Sequence, residues 1–372
     1  MTRAWSYDDM APLWVAGLAA FVLALVFSLA LVVTRRWHGR LTFDDIHGMQ
    51  KFHRDQIPRV GGLGIAVAYL AVWPLVPADL ARAWALIGIA GLPALAAGLA
   101  EDLTRRVGVK WRLLATMVAG ICFALMSGYV MDRVSLPGVD WLLGFWIAAL
   151  LFTGFAMGGV ANAINIIDGF NGLAGGALVI MLSAFAFVAH QVGDTLVMGL
   201  ALLYAALVLG FLVVNFPFGK IFLGDGGAYF CGFLLASLGV LLPSRNVEIS
   251  AWTSILICAY PVIETLSSMR RKSRREGSSI GQPDRVHFHM LAYRRYGRRM
   301  IRPGGPTHLR NPATSLVTWA MPLLTTAFVA ISYDSVWLSA GFFFLTAFIY
   351  GQLYRVMSLN AARLPLGLAR LL

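Results

Sequence analysis

Apolar runs close to the length that crosses a bilayer recur along the whole chain, and few architectures accept that pattern. A helix needs about 20 such residues to span the hydrocarbon core, within a range of about 17–25. Runs of this kind fall at about 11–34, 60–77, 84–100, 113–130, 141–158, 176–190, 196–214, 226–243, 251–266, 314–332 and 336–354. Composition agrees, since 59% of the 372 residues are hydrophobic and only 13% are charged, where soluble chains carry about 25% charged residues. The first run ends in Arg35-Arg36 without a small-residue cleavage site. It also exceeds the core of a signal peptide, so it is read as a retained span. The expected fold is an all-α polytopic membrane protein of about eleven transmembrane helices.

Charge supplies an independent check. The chain carries 30 Lys+Arg against 18 Asp+Glu, a net charge of +12. Lys and Arg favour cytoplasmic loops. With eleven spans and the N-terminus periplasmic, 26 of the 30 basic residues fall on the cytoplasmic side, leaving only Arg3, Arg82, Arg133 and Arg245 outside. The C-terminus is then cytoplasmic. Residues 267–313 form a basic cytoplasmic loop too short for a domain of its own, so residues 1–372 are read as a single integral-membrane unit. Cys122, Cys231 and Cys258 all lie in apolar runs without a Cys-x-x-Cys or Cys/His pairing, which supports neither a disulfide framework nor a zinc site.

Five segments on the inferred cytoplasmic face carry polar residues that a plain connection does not need. The first runs from His53 to Gly62, where Pro58 fixes a turn and Gly61-Gly62 permit close backbone approach. The second is Glu101-Asp102, followed by Arg105, Arg106, Lys110 and Arg112. Adjacent carboxylates at a membrane face repel each other unless a cation or proton is shared. The third holds Asn162, Asn165, Asp168, Gly169, Phe170 and Asn171, oxygen-rich turn residues in a boundary with no other charge. The fourth holds Asn215, Phe222, Gly224 and Asp225. In the fifth, Arg285, His287 and His289, the two histidines face one side of an extended segment and suit phosphate or metal binding.

Each segment alone is also readable as an ordinary turn or helix end, but the charge-derived topology brings all five to one face. Carboxylates with amides and no thiolates point to Mg²⁺, or Mn²⁺, rather than a soft metal. The surrounding basic residues suit a nucleotide diphosphate and an anionic lipid headgroup. Metal-assisted phosphoryl transfer at the membrane interface is the implied reaction. A secondary transporter of an anionic solute would place ionisable groups near the midplane, where only Glu264 approaches. An alcohol phosphatidyltransferase needs D-G-x-x-A-R, which Asp168-Gly169-Phe170-Asn171-Gly172-Leu173 does not supply. The basic loop has few aromatics and adjoins anionic lipid, so no nucleic acid partner is expected.

In their order these segments resemble the polyprenyl-phosphate N-acetylhexosamine-1-phosphate transferases. His53…Ile57-Pro58-Arg59-Val60-Gly61-Gly62 is similar to the family's H-x-x-x-I-P-R-x-G-G entry, and Glu101-Asp102 falls at its Asp-Asp pair. Asn162…Asn165…Asp168-Gly169, Asn215…Phe222-Leu223-Gly224-Asp225 and Arg285…His287…His289 match the three later motifs. Glu101, Asn171 and Met290 depart from the usual Asp, Asp and His.

The resemblance implies transfer of a sugar phosphate from a UDP-N-acetylhexosamine to undecaprenyl phosphate in the bacterial inner membrane, with release of UMP. It makes Glu101, Asp102, Asp168 and Asp225 catalytic, with Asp225 and Asp168 as Mg²⁺ ligands. Asn162, Asn165, Gly169, Phe170, Asn171, Asn215, Phe222, Arg285, His287 and His289 fall to the nucleotide sugar. His53, Lys110 and Arg112 fall to the lipid phosphate, and an apolar groove to the prenyl tail. Direct attack by the lipid phosphate is preferred to a covalent intermediate. The span count and the His-x-His loop favour the branch that initiates O antigen, capsule or exopolysaccharide over the peptidoglycan branch with its MurNAc-pentapeptide donor. A homodimer is compatible with this reading.

Overall fold

The computed structural model describes residues 7–43, 56–273, 286–297, 300–301 and 307–359; His53 and Arg285 lie outside these residues. In chain order the helices are α1 (Tyr7–Val33), α2 (Arg35–Thr42), α3 (Gly61–Ala71), α4 (Ala78–Ala90), α5 (Leu92–Thr104) and α6 (Val109–Ser127). They continue as α7 (Pro137–Leu143), α8 (Trp146–Ile167), α9 (Leu173–Gln191), α10 (Thr195–Asn215), α11 (Gly224–Arg245) and α12 (Ala251–Ile257). The last are α13 (Ala259–Ser273), α14 (Phe288–Ala292), α15 (Arg310–Thr318), α16 (Ala320–Ser332) and α17 (Val336–Ser358). The described residues form no strand, only an isolated bridge between Phe43 and Pro58.

Among the described residues, eight helical segments are long and apolar enough to cross a membrane, and α4 with α5 would make a ninth, bent by 44°. Pro93 in the first turn of α5 explains the bend, because it donates no N–H to the preceding turn. The two other apolar runs are helical but interrupted. α3 stops after 11 residues, just before a 3₁₀ turn that contains Pro74. The run at 251–266 breaks at Cys258, with Pro261 just inside α13.

α1 shows how an apolar run sorts its faces. Leu13, Ala16, Ala20, Ala24 and Ser28 are buried at spacings of three and four, whereas Trp14, Leu18, Val22 and Leu29 are exposed. The large side chains suit lipid, and the small ones let a neighbour approach. α11 is the opposite case: it is buried without a break from Gly224 to Leu238 and packs against α3, α5, α8 and α9. Its N-terminal turn is crossed so closely that a Cβ on Gly62 would collide with the Gly227 backbone, and one on Gly98 would come 2.6 Å from the Asp225 carbonyl carbon. The glycines therefore fix the depth at which α3 and α5 seat against the start of α11.

Candidate active site

The site is built on the N-terminus of α11. Its first backbone N–H groups have no partner within the helix, and α5 supplies one. The Asp102 carboxylate, 1% exposed, accepts from Asp225 N (2.9 Å) and Gly226 N (2.9 Å) and from Arg59 Nε (3.0 Å). A carboxylate at a helix N-terminus is favoured by the helix dipole as well as by these bonds. Arg59 is delivered by backbone pairing: Phe222 N donates to Pro58 O (2.8 Å), Gly61 N to Phe222 O (2.9 Å) and Gly62 N to Leu223 O (2.9 Å). This is why the Ile57–Gly62 and Phe222–Asp225 segments act together. Gly224, at φ 75°, sits against the Arg59 carbonyl where a Cβ would collide.

Asp225 follows in the first turn. Its Oδ1 accepts from Arg59 Nη2 (3.3 Å) and Asn165 Nδ2 (3.0 Å), and its Oδ2 pairs with Arg112 Nη1 from α6. Two guanidinium groups thus converge on one carboxylate, an arrangement that leaves positive charge for an incoming anion. Arg112 also has a buried Nε without a hydrogen-bond partner. Asp168 ends α8 as its C-terminal cap residue and lies on the same cavity wall as Asp225.

Other expected residues do different work. Glu101 closes the turn after α5 by accepting from Val107 N (2.9 Å). Asn162 ties α8 to α6 through Thr116 Oγ1 (2.8 Å). Asn215 accepts from Gly172 N (2.6 Å) and donates to Ile221 O (2.7 Å), so its amide is committed to joining two loops. Asn171 donates through its side chain to Pro217 O (3.1 Å) and through its backbone N–H to Asn311 Oδ1 (2.8 Å). An ionised Asp could not make the first of these bonds, which gives the Asn at this position a physical reason. Lys110 is exposed in the first turn of α6.

The histidine segment folds onto α13 and α17. Glu264, wholly buried, accepts from His287 Nδ1 (2.9 Å), Phe288 N (3.1 Å), Tyr350 OH (2.7 Å) and Arg271 Nη2 (3.2 Å). His287 stacks on His289 with ring centres 5.5 Å apart, and Phe170 meets His289 edge-on at 5.2 Å and stacks on Tyr293 at 5.4 Å. Burial, reinforced by the charge of His287, pushes the His289 imidazole down to about 3, so it is neutral at physiological pH. Gly169 has room only for hydrogen, because a Cβ there would run into the His289 ring.

Sequence reasoning missed Arg59, Glu264 and Asn311 as parts of the site. Arg59 was visible inside the Ile57–Gly62 segment, and Glu264 as a lone carboxylate in an apolar run. Asn311 gave no signal.

Part of this set borders a cavity of about 1140 Å³; Glu264 does not. Arg59, Arg112, Asn165, Asp168, Asp225, His287, His289 and Asn311 line its polar part, and Val134, Phe152, Val160, Val240, Trp252 and Ile255 its apolar part. Glu101, Asp102 and Lys110 are not on its wall. Among the described residues no three His, Cys, Asp or Glu side chains gather into a metal-holding group.

Fold and site together define a multi-pass membrane protein in which one charged helix terminus opens into a large, mainly apolar cavity. Residues 84–243 match glycosyl transferase family 4. A probable undecaprenyl-phosphate N-acetylglucosaminyl 1-phosphate transferase of Bacillus subtilis is 29% identical over 273 residues, 73% of this chain and 75% of that protein. The undecaprenyl-phosphate alpha-N-acetylglucosaminyl 1-phosphate transferase of Escherichia coli K12 is 26% identical over 342 residues, 88% of each chain. A phospho-N-acetylmuramoyl-pentapeptide-transferase of Streptococcus pneumoniae is 28% identical over 289 residues, 74% of this chain and 86% of that one. Over residues 84–243 the chain is similar to glycosyl transferase family 4, and it is a glycosyl-phosphate transferase.

Proposed function

We propose that this enzyme transfers an N-acetylhexosamine 1-phosphate from a UDP-sugar to undecaprenyl phosphate, at the cytoplasmic face of the bacterial inner membrane. The product is the lipid-linked diphosphate sugar that begins O antigen, capsule or exopolysaccharide. The observation that carries this reading is the convergence of Arg59, Arg112, Asn165 and Asp225 on the wall of a cavity that is mainly apolar. That combination fits a substrate with a phosphate head and a hydrocarbon tail. The names of the similar Bacillus and Escherichia proteins support the same acceptor.

An oxygen of the lipid phosphate forms a bond to the phosphorus that carries the sugar. The bond from that phosphorus to the bridging oxygen breaks, and UMP leaves with the bridging oxygen. No proton has to be removed first, because the lipid phosphate is already anionic at neutral pH. Arg59 and Arg112 are placed to hold phosphate oxygens, and Asp102 keeps the α11 N-terminus in position beneath them. Mg²⁺ commonly uses one or two carboxylates together with substrate phosphate and water. Asp225 and Asp168, as hard oxygen donors on the cavity wall, fit that demand and would hold Mg²⁺ or Mn²⁺, which would neutralise charge on the diphosphate.

The test is a panel of UDP-N-acetylhexosamines, and UDP-MurNAc-pentapeptide, offered to the purified protein with Mg²⁺ and undecaprenyl phosphate. UMP release with an N-acetylhexosamine donor is expected. Release with the muramoyl donor alone would move the enzyme to the peptidoglycan branch, and release with none would overturn the substrate class.

A further inference from the structure

Tyr229 lies one helical turn beyond Asp225 on α11 and shares its face. It is 2% exposed, yet it contributes to the cavity wall beside Arg112 and Asp225. Its hydroxyl makes no hydrogen bond to any described residue, and it lies within electrostatic reach of Asp225, Arg112, Asp102 and Glu101. A tyrosine hydroxyl on a cavity wall can donate to whatever enters the cavity. On the same wall, the Arg112 Nε is also buried and unpartnered. An anionic oxygen entering the cavity beside Asp225 would serve both donors.

Position along α11 separates the two phosphate-bearing substrates. Asp225 marks the charged end of the cavity, whereas Ala236, Gly239 and Val240, farther along the same helix, belong to its apolar stretch. Tyr229 stands between them, where the head of an amphiphile meets its tail. A water-soluble nucleotide sugar has no use for that boundary. We propose that the Tyr229 hydroxyl, with Arg112, binds the phosphate of the prenyl acceptor and so selects a phosphorylated lipid over the free alcohol. This rests on the acceptor class proposed above.

Tyr229→Phe removes the hydroxyl and keeps the ring. The expected result is a rise of about 10-fold in KM for undecaprenyl phosphate, with KM for the UDP-sugar and the unliganded unfolding midpoint unchanged. An unchanged lipid KM, or a change confined to the UDP-sugar, would overturn the assignment. A binding measurement stands independently of turnover. Farnesyl phosphate should raise the unfolding midpoint of the wild-type protein more than farnesol does, and Tyr229→Phe should erase most of that difference. Equal shifts in wild type and variant would reject the role of Tyr229. Absence of transfer by wild type, with the farnesyl phosphate difference intact, would instead count against the proposed reaction.

Discussion

The two ends of α11 carry nearly the same side chains. Asp225 gathers Arg112 and Asn165 with Tyr229 nearby, and Asp194 gathers Arg245 and Asn246 with Tyr129 nearby. At the far end every group is satisfied within the protein. Asp194 accepts from Arg245 Nε (2.8 Å) and Nη2 (3.2 Å), from Asn246 Nδ2 (3.0 Å) and from Val197 N (3.1 Å), which caps α10. Arg245 Nη1 then donates to Tyr129 OH (3.0 Å). None of these four side chains borders the cavity, whereas all four of the Asp225 set do. The near end also leaves Arg112 Nε without an acceptor, and Tyr229 borders the cavity there. Residue type therefore does not separate a latch from a reaction site. Bonding capacity left open toward a cavity does.

The largest expected contrast comes from Asp225→Asn. The amide preserves shape but not charge, and transfer should fall on the order of 10³-fold while membrane insertion and yield remain normal. UMP release together with size-exclusion behaviour checks both parts. Asp194→Asn should do the reverse, destabilising the fold by roughly 1–3 kcal/mol because Arg245 loses its partner, with transfer within about twofold of wild type. Thermal unfolding and initial rates separate the two effects.

The smallest contrast concerns His289. Its folded imidazole is pushed down to about 3 from an ordinary value of 6.5, so the unfolded chain binds the extra proton first. This contribution to stability is complete above about pH 6.5 and is lost progressively as pH falls toward 3. His289→Gln should therefore lose less stability than wild type between pH 7 and pH 5. Identical slopes would show that the imidazole is not held neutral.

Much of the architecture was legible because hydrophobic length is a one-dimensional property: each of the eleven apolar runs falls on helix. Where α3 ends, and where α12 gives way to α13, depends on single prolines and local geometry, which a run length does not register. In the site, the motifs named the right helix ends but not each side chain's partner. Asp102 and Asp225 were both legible as acids at a membrane boundary. That one turns to the α11 backbone and the other to the cavity follows from the way α5 crosses α11 at Gly98 and Gly226. Asn215 was legible as an amide near a turn, but its loop-joining bonds depend on two distant segments. Tyr229 looked like one more aromatic in an apolar span, since only the cavity beside it gives its hydroxyl a direction.

The ratio of UMP-release rates for Asp194→Asn and Asp225→Asn tests most directly which end of α11 performs transfer. Both variants would be reconstituted in the same membranes with Mg²⁺, undecaprenyl phosphate and the preferred UDP-sugar. A ratio on the order of 10³ is predicted. A ratio near one, with both proteins folded, would contradict the assignment of the reaction to the Asp225 end.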